Sequence, residues 1–255
     1  MPLRLIAGPQ GRLAVDDAPG AGTDPPVVFL HCDAGSHGQW REALAHLRPA
    51  RRAVAFDFRG SGRSAPAADG DYGHDGRAAD IGAVLGALAL DQCVLVGHSG
   101  GAITALHYAA RHVDRVRALL LVDPAADGRQ FPEAQRRQLQ EQLAGPNYRA
   151  VLRDYYTSIA GPDAATRARI LQDAEATPQA TVLGSFRTLS EYDPRPALAD
   201  YRGRRLSLVT DLGDNPAALH RLDPTLPVRR LHTMGHWPQL DDPAGFHRIL
   251  DEFLA

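Results

Sequence analysis

The chain has 255 residues, a formal net charge of −2, 44% hydrophobic residues and 23% charged ones. That length holds one large α/β domain with room for an inserted subdomain, and the near-balanced charge gives no electrostatic reason to expect nucleic acid or an anionic membrane as partner. Two cysteines, Cys32 and Cys93, are too few for a disulfide scaffold or a zinc cluster.

The opening MPLRLIAGPQGR meets Pro, Gly and Arg before a long apolar run can build, so it reads as neither a signal peptide nor a membrane span. Later apolar runs such as IGAVLGALAL are about half the length a bilayer crossing needs. A cytoplasmic protein is the expectation. LRLIA (3–7) and RLAVDD (12–17) predict an opening hairpin. VVFLH (27–31), AVAFDF (53–58), CVLVG (93–97), ALLLVD (118–123), LSLVTD (206–211) and PVRRLH (227–232) predict strands. Several are nearly all apolar, as strands buried on both faces of a parallel sheet are. Segments 77–90 and 101–112 carry helical spacing, and the alternation predicts a doubly wound α/β sheet.

From Pro124 to about Glu191 the rhythm breaks and no strand pattern occurs. Gly145-Pro146, Gly161-Pro162 and Thr177-Pro178 each supply a stop followed by a proline suited to a first helical turn. Helices over 132–144, 147–160, 163–175 and 178–190 follow, and the chain returns to the sheet at YDPRP (192–196). The expected division is a core of 1–123, a helical lid of 124–191 and a second core part of 192–255.

Chemistry concentrates at Gly97-His98-Ser99-Gly100-Gly101, between a strand and a helix. A sharp turn there lifts Ser99 above the sheet, and bulky side chains two residues to either side would strike the turning backbone. Ser99 then stands at a helix N-terminus, where free N–H groups and the dipole favour developing negative charge, with the Gly100 N–H turned toward a reacting oxygen. A serine hydroxyl is a poor nucleophile at neutral pH and needs an imidazole to take its proton and a carboxylate to orient that imidazole.

The pentapeptide resembles the nucleophile turn of the α/β-hydrolase superfamily, and the likeness extends over almost the whole chain. FLHCDAG (29–35) is similar to the family's strand and oxyanion loop, FDFRGSGRS (56–64) to its D-x-R-G-x-G-x-S turn, DLGD (211–214) to its G-x-x-D stretch and GHWPQLDDP (235–243) to its late histidine loop. The resemblance implies an eight-stranded, mostly parallel sheet with a lid after the sixth strand. It implies Ser99 as nucleophile and His236 as base, with Asp214 as the acid; Asp123, at the end of the sixth strand, and Asp211 are the alternatives. It further implies an oxyanion hole from the backbone N–H groups of Asp33 and Gly100.

Two departures stand out. Cys32 stands where the family usually has Gly, and the donor residue Asp33 carries a carboxylate; its side chain is expected to point outward, capping Gly35 or Ser36. Gly100 stands where the family often has Met or Leu, which should widen the space beside the nucleophile. Trp40, His98, Tyr148, Tyr155, Tyr156, Phe186 and Trp237 are candidate pocket residues, with plain core packing the competing role for each. His31-x-Asp33-x3-His37 mixes ligand-type residues, yet no recognised metal motif accompanies it, and no G-x-G-x-x-G follows the first strand. Neither metal nor cofactor is expected. The leading expectation is a serine hydrolase for small, mostly uncharged carboxylic esters, with lactones and thioesters in the same class. A C–C bond hydrolase of the meta-cleavage type, a cofactor-independent oxygenase or lyase, and a non-enzymatic small-ligand receptor retaining the triad are the alternatives.

Overall fold

Strands whose side chains are apolar on both faces can only be satisfied between two layers of helices. The computed structural model, which describes residues 3–20, 22–232 and 235–255, has that architecture. Among the described residues eight strands form one sheet: β1 (Arg4–Ala7), β2 (Arg12–Ala18), β3 (Val27–Leu30), β4 (Ala53–Phe56), β5 (Cys93–His98), β6 (Val116–Val122), β7 (Arg204–Thr210) and β8 (Val228–Leu231), in the order β1-β2-β4-β3-β5-β6-β7-β8. The hairpin β1–β2 and the β2–β4 pairing are antiparallel; from β4 onward every pairing is parallel.

The period-2 alternation sorts the strand residues into two cores. Val28, Leu30, Val54, Phe56, Leu95, Leu119 and Leu121 face one layer, built on α2 (His74–Ala87), α3 (Gly100–Arg111) and α8 (Arg195–Asp200). Val27, Phe29, Ala53, Ala55, Val94, Val96 and Leu120 face the other, built on α1 (Arg41–Leu47) and α11 (Pro243–Leu254). Two short helices, α9 (Leu219–Leu222) and α10 (Pro238–Asp241), fill the connections after β7 and β8.

Between β6 and α8 lie α4 (Glu133–Ala144), α5 (Tyr148–Ile159), α6 (Ala164–Ala176) and α7 (Gln179–Glu191), each within about two residues of its expected span. Pro132 and Pro178 occupy N-cap positions, and the Asp163 carboxylate caps α6 by accepting from Thr166 N at 2.6 Å. Leu143, Leu152, Tyr156, Ile170, Val182 and Phe186 of these helices form a third core with Cys32, Ala34 and Trp237, so the insertion sits over the C-terminal end of β3. Asp173 of α6 ties it there, accepting from Ser36 Oγ at 3.0 Å and Gln39 Nε2 at 3.2 Å. Among the described residues no helix is long and apolar enough to cross a membrane.

Two of the boundary shifts have a visible cause. The strand expected over 53–58 ends at Phe56, because Asp57 is drawn into a turn: its carboxylate accepts from His37 N, His37 Nδ1 and Arg63 N. Gly62, at φ +51, belongs to that turn, where a Cβ would lie 2.2 Å from Asp57 Oδ2. The helix expected from residue 77 starts at His74, since Asp71 fixes its approach by accepting from Gly73 N at 2.8 Å.

Candidate active site

β5 ends at His98, α3 begins at Gly100, and Ser99 makes the whole turn between them at φ 54 and ψ −123. A non-glycine residue there is strained. The close approach explains the flanking glycines: a Cβ on Gly97 would lie 2.6 Å from the Gly101 carbonyl oxygen, and one on Gly101 2.2 Å from that of His31. The Ser99 N–H donates to the Val122 carbonyl at 3.0 Å, which pins the turn to β6. Ala34 (φ 49), after β3, and Asp123 (φ 39), after β6, share the left-handed region with Ser99. Strain is thus gathered at the C-terminal ends of three adjacent strands, where open α/β sheets bind ligands.

His236 presents Nδ1 to Asp123 Oδ2 at 2.5 Å. Asp123 is fully buried and held on both oxygens by Thr210, from its backbone N–H at 2.8 Å and its hydroxyl at 2.8 Å. The expectation that Asp214 meets His236 is corrected. Asp214 is taken up by Arg230 at 2.9 Å, Arg221 at 3.0 Å and His220 at 3.0 Å. The Arg230 hydrogen bond, joined by Arg221, brings its carboxyl down to about 2. Asp211 faces the exposed His232 at 3.1 Å. Beneath the pair, His98 donates from Nε2 to the His236 carbonyl at 2.7 Å. Burial, with His236 nearby, holds the His98 pKa well below the usual imidazole value, so it is neutral and acts as a strut.

Asp33 also differs from expectation. Its carboxylate points inward and accepts from Arg77 Nη1 of α2 at 2.6 Å, with both side chains buried. Ser36 caps its own turn, accepting from Gly38 N at 3.2 Å. The space that Gly100 leaves is therefore filled: a Cβ there would lie 1.8 Å from Asp33 Oδ2. Gly100 makes room for a neighbour rather than for substrate. Arg77 carried no sequence signal beyond being the one Lys or Arg in α2.

A cavity of about 440 Å³ opens beside these groups, lined by Asp33, Ser99 and His236, by Tyr155, Tyr156 and Phe186 of the insertion, and by Leu139, Ile159 and Leu212 among others. Phe131, Tyr155 and Leu212 are partly exposed and belong to the same lining, giving the opening an apolar rim. Four expected pocket residues lie elsewhere. Trp40 is buried against Phe29 with ring centroids 4.9 Å apart, and Trp237 packs between His98 and Tyr156 at 5.5 and 5.6 Å. His98 lies behind His236, and Tyr148 is core. Leu139 and Ile159 went unnoticed because an apolar helical stripe looks the same whether it meets a core or a cavity.

A sheet of this order with a strained serine at the β5–α3 turn defines an α/β-hydrolase, and the chain belongs to that family: the family model describing the alpha/beta hydrolase fold matches residues 25–243. It is 31% identical over 213 residues to N-formylmaleamate deformylase of Pseudomonas putida, covering 78% of this chain and 77% of that protein. It is 26% identical over 255 residues to 2-hydroxy-6-oxo-2,4-heptadienoate hydrolase of Pseudomonas putida, covering 92% and 90%. The enol-lactonase from Burkholderia xenovorans LB400 superposes with a TM-score of 0.87 at 18% identity, over 98% of this chain and 99% of that one.

Proposed function

We propose that the protein is a serine hydrolase that cleaves small acyl compounds, carboxylic esters among them, through an acyl-enzyme. The observation that carries this reading is the strained Ser99 sharing one cavity with His236, whose Nδ1 is held by the buried Asp123. With Nδ1 engaged, Nε2 is the nitrogen left to take the Ser99 proton as Oγ attacks the carbonyl carbon. The oxyanion is held by the N–H of Gly100, in the first helical turn where N–H groups lack an intrahelical acceptor, and by that of Asp33. The tetrahedral centre collapses as the imidazolium gives its proton to the departing alcohol. Water then repeats the sequence and releases the acid. Residues 124–191 act as the lid, their Tyr155, Tyr156 and Phe186 shaping the acyl pocket.

The test is fluorophosphonate labelling together with steady-state hydrolysis of p-nitrophenyl esters. Wild type should label rapidly at Ser99; Ser99→Ala should stay folded, fail to label and lose at least about 10³-fold in kcat. Ester turnover at near wild-type rate in Ser99→Ala would remove the acyl-enzyme. A second reading, hydrolysis of a carbon–carbon bond beside a ketone by the same three residues, is supported by the relationship to the heptadienoate hydrolase over 92% of the chain. Turnover of vinylogous diketo acids in preference to esters would favour it.

A further inference from the structure

Asp33 is 3% exposed and is one of the residues that line the cavity with Ser99 and His236; its carboxylate is buried and only half satisfied. Oδ1 accepts from Arg77, whereas Oδ2 has no hydrogen-bond partner and is turned to Gly100, the residue directly after Ser99. The residue is clamped. Tyr156 donates its hydroxyl to the Asp33 carbonyl at 2.5 Å, and the Arg77 guanidinium is itself buried over the Phe58 ring at 5.2 Å. A fixed carboxylate oxygen beside the oxyanion donors opposes negative charge developing there, and a buried acceptor without a donor is costly. A substrate made only of acceptors, such as a simple ester, relieves neither problem. A substrate that brings an N–H or O–H to Oδ2 relieves both.

We infer that Asp33 Oδ2 is a recognition site for a hydrogen-bond donor on the substrate, so that the site selects acyl compounds carrying an N–H or O–H on the atom next to the reacting carbonyl: carboxamides on the leaving-group side, α-hydroxy acyl groups on the acyl side. The inference rests on the hydrolase reading above and narrows its substrate class. Sites built to hydrogen-bond a substrate group reject isosteres lacking it far more strongly than apolar pockets distinguish sizes.

Two matched pairs test it. p-Nitrophenyl glycolate and p-nitrophenyl propionate differ by OH against CH₃ on the acyl side; propionyl p-nitroanilide and its N-methyl derivative differ by N–H against N–CH₃ on the leaving group. Each kcat/KM ratio is divided by the same ratio in hydroxide-catalysed hydrolysis. Wild type should favour the donor-bearing member of at least one pair by about tenfold or more. Asp33→Asn should lose that preference, because Arg77 can only donate, so the amide oxygen must face it and the NH₂ must replace Oδ2. If that variant does not fold, Gly100→Ala, whose methyl group would displace Oδ2, should lose the same preference. Wild-type ratios that track hydroxide in both pairs overturn the inference. So does an equal fall in both members of a pair in the variant, which marks a structural role alone. Failure of wild-type Ser99 to label would instead overturn the hydrolase reading itself.

Discussion

At the scale of single residues the family resemblance favours Asp214 as the acid over Asp123 and Asp211, although each of the three follows a strand end. Spacing along the chain does not say which carboxylate turns inward. Asp123 does so because its backbone at φ 39 re-aims the side chain, and because Thr210, on the adjacent strand β7, offers two donors to a buried carboxylate. Asp214 is drawn outward by Arg221 and Arg230, cations whose reach toward it is invisible until β8 and α9 are placed. By contrast Ser99 and His236 were legible, because a serine flanked two residues either side by glycine and a histidine in a Gly-flanked loop leave few other structural uses. The Asp33 orientation was not legible, since its partner Arg77 lies 44 positions away. We expect Asp123→Asn to lower kcat by about 10³- to 10⁴-fold, as loss of the tautomer-fixing carboxylate does elsewhere. Asp214→Asn should stay within about threefold of wild type. Steady-state kinetics on one p-nitrophenyl ester decide it: a crippled Asp214→Asn beside an active Asp123→Asn would reverse the assignment.

At the scale of elements, strands were the most readable part of the chain because burial on both faces leaves no polar positions to confuse the pattern. Helix α1 was missed, being seven residues long, and the start of α2 was hidden by the turn-forming run Asp71-Tyr72-Gly73. The β5–α3 turn has a sharp sequence requirement that glycine substitutions expose. Gly101→Ala would drive a methyl group into the backbone of His31, and we expect it to cost at least about 2 kcal/mol or to prevent folding. Gly86→Ala is the counterpart: at this exposed position of α2 a Cβ meets nothing within 4 Å, so alanine should stabilise by about 0.5–1 kcal/mol. Urea denaturation of the two variants reads both. Register makes a further prediction. Val27 pairs with Val94 and Leu30 with Gly97, so Cys93 lies at the opposite end of the β3–β5 pair from Cys32, at ~3.3 Å per residue far beyond disulfide reach. Both thiols are buried, Cys93 being pushed up to about 12 by burial. Thiol titration should find slow reaction in the native state and two free thiols after non-reducing denaturation; an intramolecular disulfide would contradict the register.

At the scale of the whole molecule, the floor of the site is built on buried neutral histidines, and this couples global stability to pH. His31 donates from Nδ1 to the Cys32 carbonyl at 2.7 Å and accepts at Nε2 from Phe58 N at 3.0 Å, so both nitrogens are committed in the neutral form. Burial, only partly opposed by the charge of Asp57, lowers its pKa from 6.5 to about 4. His98 at the end of β5 and His74 at the start of α2 are likewise lowered well below 6.5, first by burial and next by His236 beside His98 and Arg77 beside His74. A group whose folded pKa is depressed contributes stability that is complete above its unfolded value and is lost as pH falls toward the folded one. The window is therefore pH 6.5 down to about 4, where the unfolded chain takes up protons that the native state refuses. His37 works in the opposite sense: burial pulls it down, but its hydrogen bond to Asp57 prevails and raises it, so it favours the folded state at the acid end. His107 and His247 are also lowered, first by burial, so among the described residues five depressed histidines stand against one raised one. From pH 7.5 to pH 5 His31 alone should remove roughly 2 kcal/mol, and His98 and His74 act in the same direction. The melting temperature should accordingly drop over that interval, before ordinary carboxylates titrate, in scanning calorimetry at constant ionic strength. A flat or rising profile between pH 7.5 and 5 would mean that these imidazoles are hydrated and charge in place, and that the polar layer beneath Ser99 and His236 is open to water.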